Sequence, residues 1–309
     1  MIDKRPATFI ASMLLLFSLA GCVVAGQSVV STPVPVPPAA EPSPTATVPA
    51  PTPAPTAEPD LAATLAAGVE PRLFASYPSP DGVARADVLI RDCTAVVEGQ
   101  ENAYELLHIV AADTGETRFV DDQLLYCGGL GAFGLQGLFW SPDGRYFFYT
   151  DAREGGPDGA CRPWARPIIR YDMAADAHLV MSQAAISPDG AEVAGWVDGQ
   201  LVILGPGGDE AGRAAPPPGP PYVGPPVWSA GGTALVYLQF SRSCGETPGE
   251  SAVVWVDAAT QESRVLLTQT GPGFEAVQWA GPDRLALTGL LDGGRWTYDI
   301  AGDELLPVP

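Results

Sequence analysis

Phe139-Trp140-Ser141-Pro142-Asp143-Gly144-Arg145-Tyr146-Phe147-Phe148-Tyr149 decides how the chain is read. Two aromatic residues lead into a four-residue turn, and four more lead out. Proline and aspartate favour the early positions of a tight turn, and glycine supplies the positive φ before the next strand. Aromatic and β-branched runs on either side read as the two strands of a hairpin.

The same punctuation recurs. Ser79-Pro80-Asp81-Gly82 precedes it, and Ser187-Pro188-Asp189-Gly190 follows it. Ser229-Ala230-Gly231-Gly232 and Ala280-Gly281-Pro282-Asp283 are degenerate copies, so the copies start 62, 46, 42 and 51 residues apart. That is the spacing of propeller blades carrying insertions. Trp228 and Trp279 stand where Trp140 stands, while Ile186 and Pro78 replace it in the third and first copies. Each copy is followed by a second strand and turn: Ile168–Asp172, Val253–Asp257, Trp296–Asp299, and Leu106–Val110 closed by Asp113-Thr114-Gly115-Glu116. The expectation is an all-β propeller of about five four-stranded blades, six being the other closure. Arg72–Ser76 supplies the first strand of blade one, and Leu61 and Leu65 suggest a short helix before it. The first strands are placed at Leu135–Trp140, Val180–Ile186, Pro226–Trp228 and Phe274–Trp279. The recurring aspartates are read as turn residues, and the three tryptophans as packing between blades.

The tryptophan, Ser-Pro-Asp-Gly hairpin and Asp-x-x-Thr-Gly-like turn resemble the WD-like repeats of TolB-type propellers. These also occur as the propeller domains of prolyl-oligopeptidase-type proteases. The resemblance covers about residues 70–309 and implies a fold, not an activity.

The N-terminus carries a different message. Lys4 and Arg5 precede an apolar run from Ala7 to Ala20, of signal-peptide length and too short for a membrane-spanning helix of about 20 residues. Leu19-Ala20-Gly21-Cys22 resembles the lipobox of bacterial lipoproteins. That resemblance implies cleavage before Cys22 and a diacylglycerol on its sulfur, usually with an acylated amino terminus, and several acyl chains anchor stably. Residues 1–21 are thus a signal peptide. Residues 22–59 are a lipidated N-terminus with a linker dominated by proline, alanine and threonine, which extends rather than packs. Residues 60–309 are the propeller domain. The expected location is extracytoplasmic, lipid-anchored to the bacterial cell membrane.

The chain has 36 acidic and 16 basic residues, a net charge of −20. Such an acidic balance argues against a nucleic-acid partner and is compatible with cationic ligands. Removing Cys22 from the five cysteines leaves Cys93, Cys127, Cys161 and Cys244, an even number that reads as two disulfides in an exported protein. Cys127 with Cys161 and Cys93 with Cys244 is the first of three pairings to consider. No Cys-x-x-Cys pair occurs and only His108 and His178 are present, so no metal and no cofactor is called.

Opposite the Ser-Pro-Asp-Gly turns lie three long insertions, Asp92–Ala103, Asp151–Pro167 and Ser241–Ser251. Loops held on a rigid scaffold are where binding residues concentrate. The candidates there are Asp151, Arg153, Glu154, Arg162, Trp164 and Arg242. The leading function is a non-catalytic binding or scaffold lipoprotein that presents this face to an envelope protein or glycan. The alternative is a carbohydrate-active enzyme, a glycosidase or lyase, with its site in the propeller channel. A glycosidase needs two carboxylates about 5–9.5 Å apart, and Glu275 is the one acid on the expected first strands. No catalytic residue is named. A protease lacks its Gly-x-Ser-x-Gly elbow here, and a quinone-dependent dehydrogenase would want histidines on the channel rather than on outer strands.

Overall fold

The computed structural model describes residues 71–97, 100–126, 134–151, 164–241, 249–271, 273–289 and 293–308, with backbone alone at 92–97, 100–103 and 124–126. All of them belong to the compact unit Ala57–Pro309. Among them there is no helix and no segment that crosses a membrane as one. The suggested helix at Leu61 and Leu65 falls outside these residues.

Twenty strands form five antiparallel blades. Blade 1 is β1 (Arg72–Pro78), β2 (Ala84–Val97), β3 (Gln100–Ala111) and β4 (Thr117–Tyr126). Blade 2 is β5 (Gln136–Trp140), β6 (Tyr146–Thr150), β7 (Ile168–Asp172) and the first half of β8 (Ala177–Ile186). Blade 3 takes the second half of β8, then β9 (Val193–Val197), β10 (Gln200–Leu204) and β11 (Glu210–Ala214). In blade 4 the first strand is broken into β12 (Tyr222–Val223) and β13 (Val227–Trp228), both paired with β14 (Ala234–Phe240), followed by β15 (Gly249–Asp257) and β16 (Ser263–Gly271). Blade 5 is β17 (Phe274–Gly281), β18 (Arg284–Gly289), β19 (Arg295–Asp299) and β20 (Glu304–Pro307).

Two departures from the sequence reading have local causes. The stretch Asp92–Ala103, expected as a loop insertion, continues β2 through Val97 and resumes as β3 at Gln100, so the second hairpin of blade 1 is simply long. Blades 2 and 3 share one strand. Ala177–Met181 pairs with β7 and Ser182–Ile186 with β9, and Gln183, at φ 49°, bends the strand between the two registers.

The repeated turn works as its composition dictates. Gly82, Gly144, Gly190 and Gly232 all have positive φ, between 69° and 76°. In each full copy the serine hydroxyl donates to the aspartate 2.6 Å away, and that aspartate accepts the backbone N–H two residues on, at 3.1 Å. The second turn repeats too. Asp172, Asp257 and Asp299 end the third strands of blades 2, 4 and 5, and each accepts the two backbone N–H groups that follow its neighbour.

The core lies between blades. Four apolar clusters each join one blade to the next, from blade 1–2 through to blade 4–5. In β6, Phe147 and Tyr149 face blade 1 while Tyr146 and Phe148 face blade 3, so the whole strand is buried. This is why it reads as a continuous aromatic run rather than an alternating one. Among the described residues no such cluster joins blade 5 to blade 1, and β18 alternates between exposed and buried.

The turn-preceding tryptophans bolt neighbouring blades. The indole N–H of Trp140 donates to Tyr77 O of blade 1 at 2.9 Å, that of Trp228 to Ala185 O of blade 3 at 3.2 Å, and that of Trp279 to Val227 O of blade 4 at 2.9 Å. Blade 3 lacks this tryptophan, and Trp196 on its second strand donates forward to Gly224 O instead, at 3.0 Å.

Candidate functional site

β6 begins beside the Ser141–Gly144 turn and ends at Thr150, so Asp151 emerges at the opposite end of blade 2, where the long insertion starts. There a cavity of about 380 Å³ opens between blades 1 and 2. Its walls come from both. Asp121 on β4 represents blade 1; Tyr149, Asp151, Pro167, Ile169, His178 and Val180 represent blade 2.

The polar groups sit unusually deep. Asp121 is 9% exposed and Asp151 3%, whereas aspartate is rarely buried without partners. Asp121 is held by two donors: the Tyr149 hydroxyl at 2.7 Å on one oxygen and the Asp122 N–H at 2.8 Å on the other. Tyr149, 1% exposed, stands edge-on to the His178 ring at 6.3 Å. His178 itself is exposed and leans on Tyr171, 5.1 Å between ring centres, so it marks the cavity mouth. Ile169, buried, and Val180, exposed, provide apolar surface beside these groups.

The returning end of the insertion is fixed. Thr150 Oγ1 donates to Pro167 O at 2.7 Å, and Ala165 N donates to the side-chain oxygen of Gln183 at 2.9 Å, the residue that bends β8. Trp164, half-buried, is thereby placed next to the same end of the blade. Deeper in blade 1, Glu105 is buried and accepts the Leu135 N–H at 2.5 Å; burial pushes its carboxyl above the usual range, and the hydrogen bond offsets part of that rise.

Of the candidates named from sequence, Asp151 lines the cavity, and Trp164, half-buried, is not among its lining residues. Arg153, Glu154, Arg162 and Arg242 lie outside the described residues, as do Cys22, Cys127, Cys161 and Cys244; Cys93 falls on β2 with its backbone alone described. Asp121, Tyr149 and His178 were not named from sequence. The usable signal was the pair Asp121-Asp122, which breaks a strand otherwise open to apolar residues. Among the described residues, no three of His, Cys, Asp and Glu converge to hold a metal ion. On the first strands of the blades Glu275, half-buried, is the one described acid.

No protein-family model matches this chain, and no curated protein matches it. Solved structures do. TolB from Acinetobacter baumannii is 15% identical over 77% of this chain and 55% of its own, with a TM-score of 0.34. The β-propeller domain of the Trilobed protease from Pyrococcus furiosus is 12% identical over 77% and 70%, at 0.35. Porphyromonas gingivalis dipeptidyl peptidase 4 is 11% identical over 76% and 39%, at 0.41. The chain thus spans about half of TolB and less of the peptidase. At such identities the likeness concerns fold alone. The blades described above, with their repeated turns and inter-blade cores, are those of a β-propeller.

Proposed function

We propose that this chain is an extracytoplasmic binding protein, tethered to the bacterial cell membrane through a lipid on Cys22. The propeller is carried on the Pro-rich segment 22–59 and offers the insertion side of its blades to an envelope protein or glycan. One observation carries the binding part: the cavity beside Asp151. It is built from buried polar side chains of two blades, on the side where the insertions leave the scaffold. Concave sites with apolar walls and a few convergent polar groups are the usual form of a binding site. The lipobox-like Leu19–Cys22 and the linker support the tether.

The enzyme reading needs a second carboxylate to work with Glu275, and the first strands among the described residues offer none beside it. Two measurements test the proposal. Fractionation should place wild-type protein in the membrane and Cys22→Ala in the soluble fraction, with a mass increase on the N-terminal peptide of the wild type alone. Cross-linking in the native envelope should give an adduct that weakens in Asp151→Asn. A soluble wild type without added mass would remove the anchor. Equal adducts from both chains would remove the cavity from the binding surface.

A further inference from the structure

Pro225 and Pro226 interrupt the first strand of blade 4 between β12 and β13. Beside the interruption a cavity of about 520 Å³ runs along the first strands of blades 4 and 5, within the range of small-ligand sites. Its lining extends from Gly224, whose N–H donates to Leu238 O, to Ala230 in the Ser229–Gly232 turn. The wall from blade 5 is the stretch 276–279 of β17. The β17–β18 register shifts on both sides of that stretch, between Phe274 and Ala276 and between Trp279 and Gly281. Such irregularities re-aim side chains.

The lining selects a chemistry. No charged residue belongs to it among the described residues, so it matches neither an acid nor a cation, and the net charge of −20 further disfavours anions. Trp228, Trp279, Val227 and Val277 supply apolar surface. Both indole N–H groups already donate to neighbouring carbonyls, Ala185 O and Val227 O. A proline-rich peptide, which offers carbonyls to an aromatic groove, therefore finds no donor on these rings. The one side-chain hydrogen-bonding group left in the lining is the amide of exposed Gln278, which both donates and accepts. Beside it Trp279 is half-buried and keeps part of its ring exposed. A neutral pyranose fits this set. Its C–H groups form an apolar face of partial positive charge, which stacks on the negative face of an indole, and two adjacent hydroxyls can accept from and donate to one amide.

We infer that the cleft between blades 4 and 5 seats a neutral pyranose unit of a glycan. The indole of Trp279 stacks on the sugar ring, and the Gln278 amide bonds two neighbouring hydroxyls. Ala230 leaves room at the mouth, where the full copies of the turn carry Pro80, Pro142 and Pro188. This site is separate from the cavity beside Asp151, and the adduct that tests Asp151 does not depend on it.

Isothermal titration calorimetry tests this on the full chain, solubilised in a detergent without a sugar head group. The probes are maltotriose, cellotriose, mannotriose and triacetylchitotriose, with trigalacturonate, the chitosan trimer and hexaproline beside them. At least one neutral trisaccharide should bind saturably, and the charged trimers and hexaproline should bind about 10-fold more weakly or worse. Gln278→Ala, at an exposed position, should weaken that trisaccharide by about 10-fold, the worth of two neutral hydrogen bonds. Ala230→Trp, at an exposed turn position, should block the mouth and abolish binding; if that variant does not fold, Gln278→Ala decides. Glu262→Gln, an exposed acid of blade 4 outside the cavity, should bind as wild type does. The inference is overturned if none of the neutral trisaccharides binds saturably, or if their binding is unchanged in Gln278→Ala or in folded Ala230→Trp. Equal binding of a charged trimer overturns it as well, and equal binding of hexaproline would make the cleft a peptide site instead. A loss in Glu262→Gln as large as that in Gln278→Ala would also overturn it, by placing the sugar elsewhere on blade 4.

Discussion

Replacing Trp140 with phenylalanine asks whether the turn-preceding tryptophans hold blades together or recognise a ligand. The ring of Trp140 is 8% exposed, packs on Phe147 at 4.9 Å, and donates its N–H to Tyr77 O at 2.9 Å. Phenylalanine keeps part of the packing and loses the donor. The lost hydrogen bond costs about 1 kcal/mol net, and the carbonyl of half-buried Tyr77, left short of a partner, adds up to about the same again. The smaller ring leaves a gap worth about another 1 kcal/mol. Trp140→Phe should therefore cost about 2–3 kcal/mol, measured by equilibrium urea unfolding followed by far-UV circular dichroism at constant m-value. Trp279 is less buried, so Trp279→Phe should cost about half as much. The two residues belong to different inter-blade clusters, so the double variant should equal the sum within about 0.5 kcal/mol. Unchanged stability of Trp140→Phe, combined with loss of the envelope adduct, would refute the bolt and make the ring a ligand contact.

Three further outcomes follow from the same contacts. Burial holds the Glu105 carboxyl above its unfolded range, so the folded state resists its ionisation and stability falls as pH rises through that raised range; Glu105→Gln should raise the melting temperature at pH 7–8, match wild type near pH 4, and fail as an idea if the two pH profiles run parallel. The turn aspartates Asp81, Asp143 and Asp189 lie below the usual carboxylate range, chiefly through their serine hydrogen bonds. Their stabilisation is complete at neutral pH and is lost as pH falls through the depressed range, so Asp143→Asn should flatten the acid limb of the melting curve and leave the alkaline limb alone. A β-carbon on Gly195 would meet the β-carbons of Met181 and Ala184 at 2.9 Å; Gly195→Val should cost about 1–3 kcal/mol by overpacking, and a wild-type unfolding midpoint would contradict the tight approach of β8 and β9.

Much of this architecture could be read from the chain because turn chemistry is local. Serine, aspartate and glycine at fixed offsets do their work within six residues, and that is why the copies at 79, 141 and 187 are legible. The first strands were placed nearly where they lie, since β5 and β17 carry the lead-in tryptophans. The strand shared by blades 2 and 3 was not separable, because no turn marks the change of partner; the bend at Gln183 uses an ordinary residue in a left-handed conformation. Pro225 and Pro226 break the first strand of blade 4 into β12 and β13, since proline gives the ladder no donor. Asp151 was legible as the start of an insertion. Its companions were not, because Asp121, Tyr149 and His178 come from separate strands, and only the docking of blade 1 on blade 2 puts them around one cavity.

The account turns on whether the cavity side of blades 1 and 2 is the working surface. The measurement that decides it is cross-linking of the full-length chain in its native envelope, run for wild type, Asp151→Asn and Glu275→Gln and paired with an assay for sugar released from envelope polysaccharide. The account predicts one adduct with wild type and Glu275→Gln, loss of that adduct with Asp151→Asn, and no sugar release from any of the three. Sugar released by wild type and abolished in Glu275→Gln, with the adduct indifferent to Asp151, would contradict it and make the chain a carbohydrate-active enzyme.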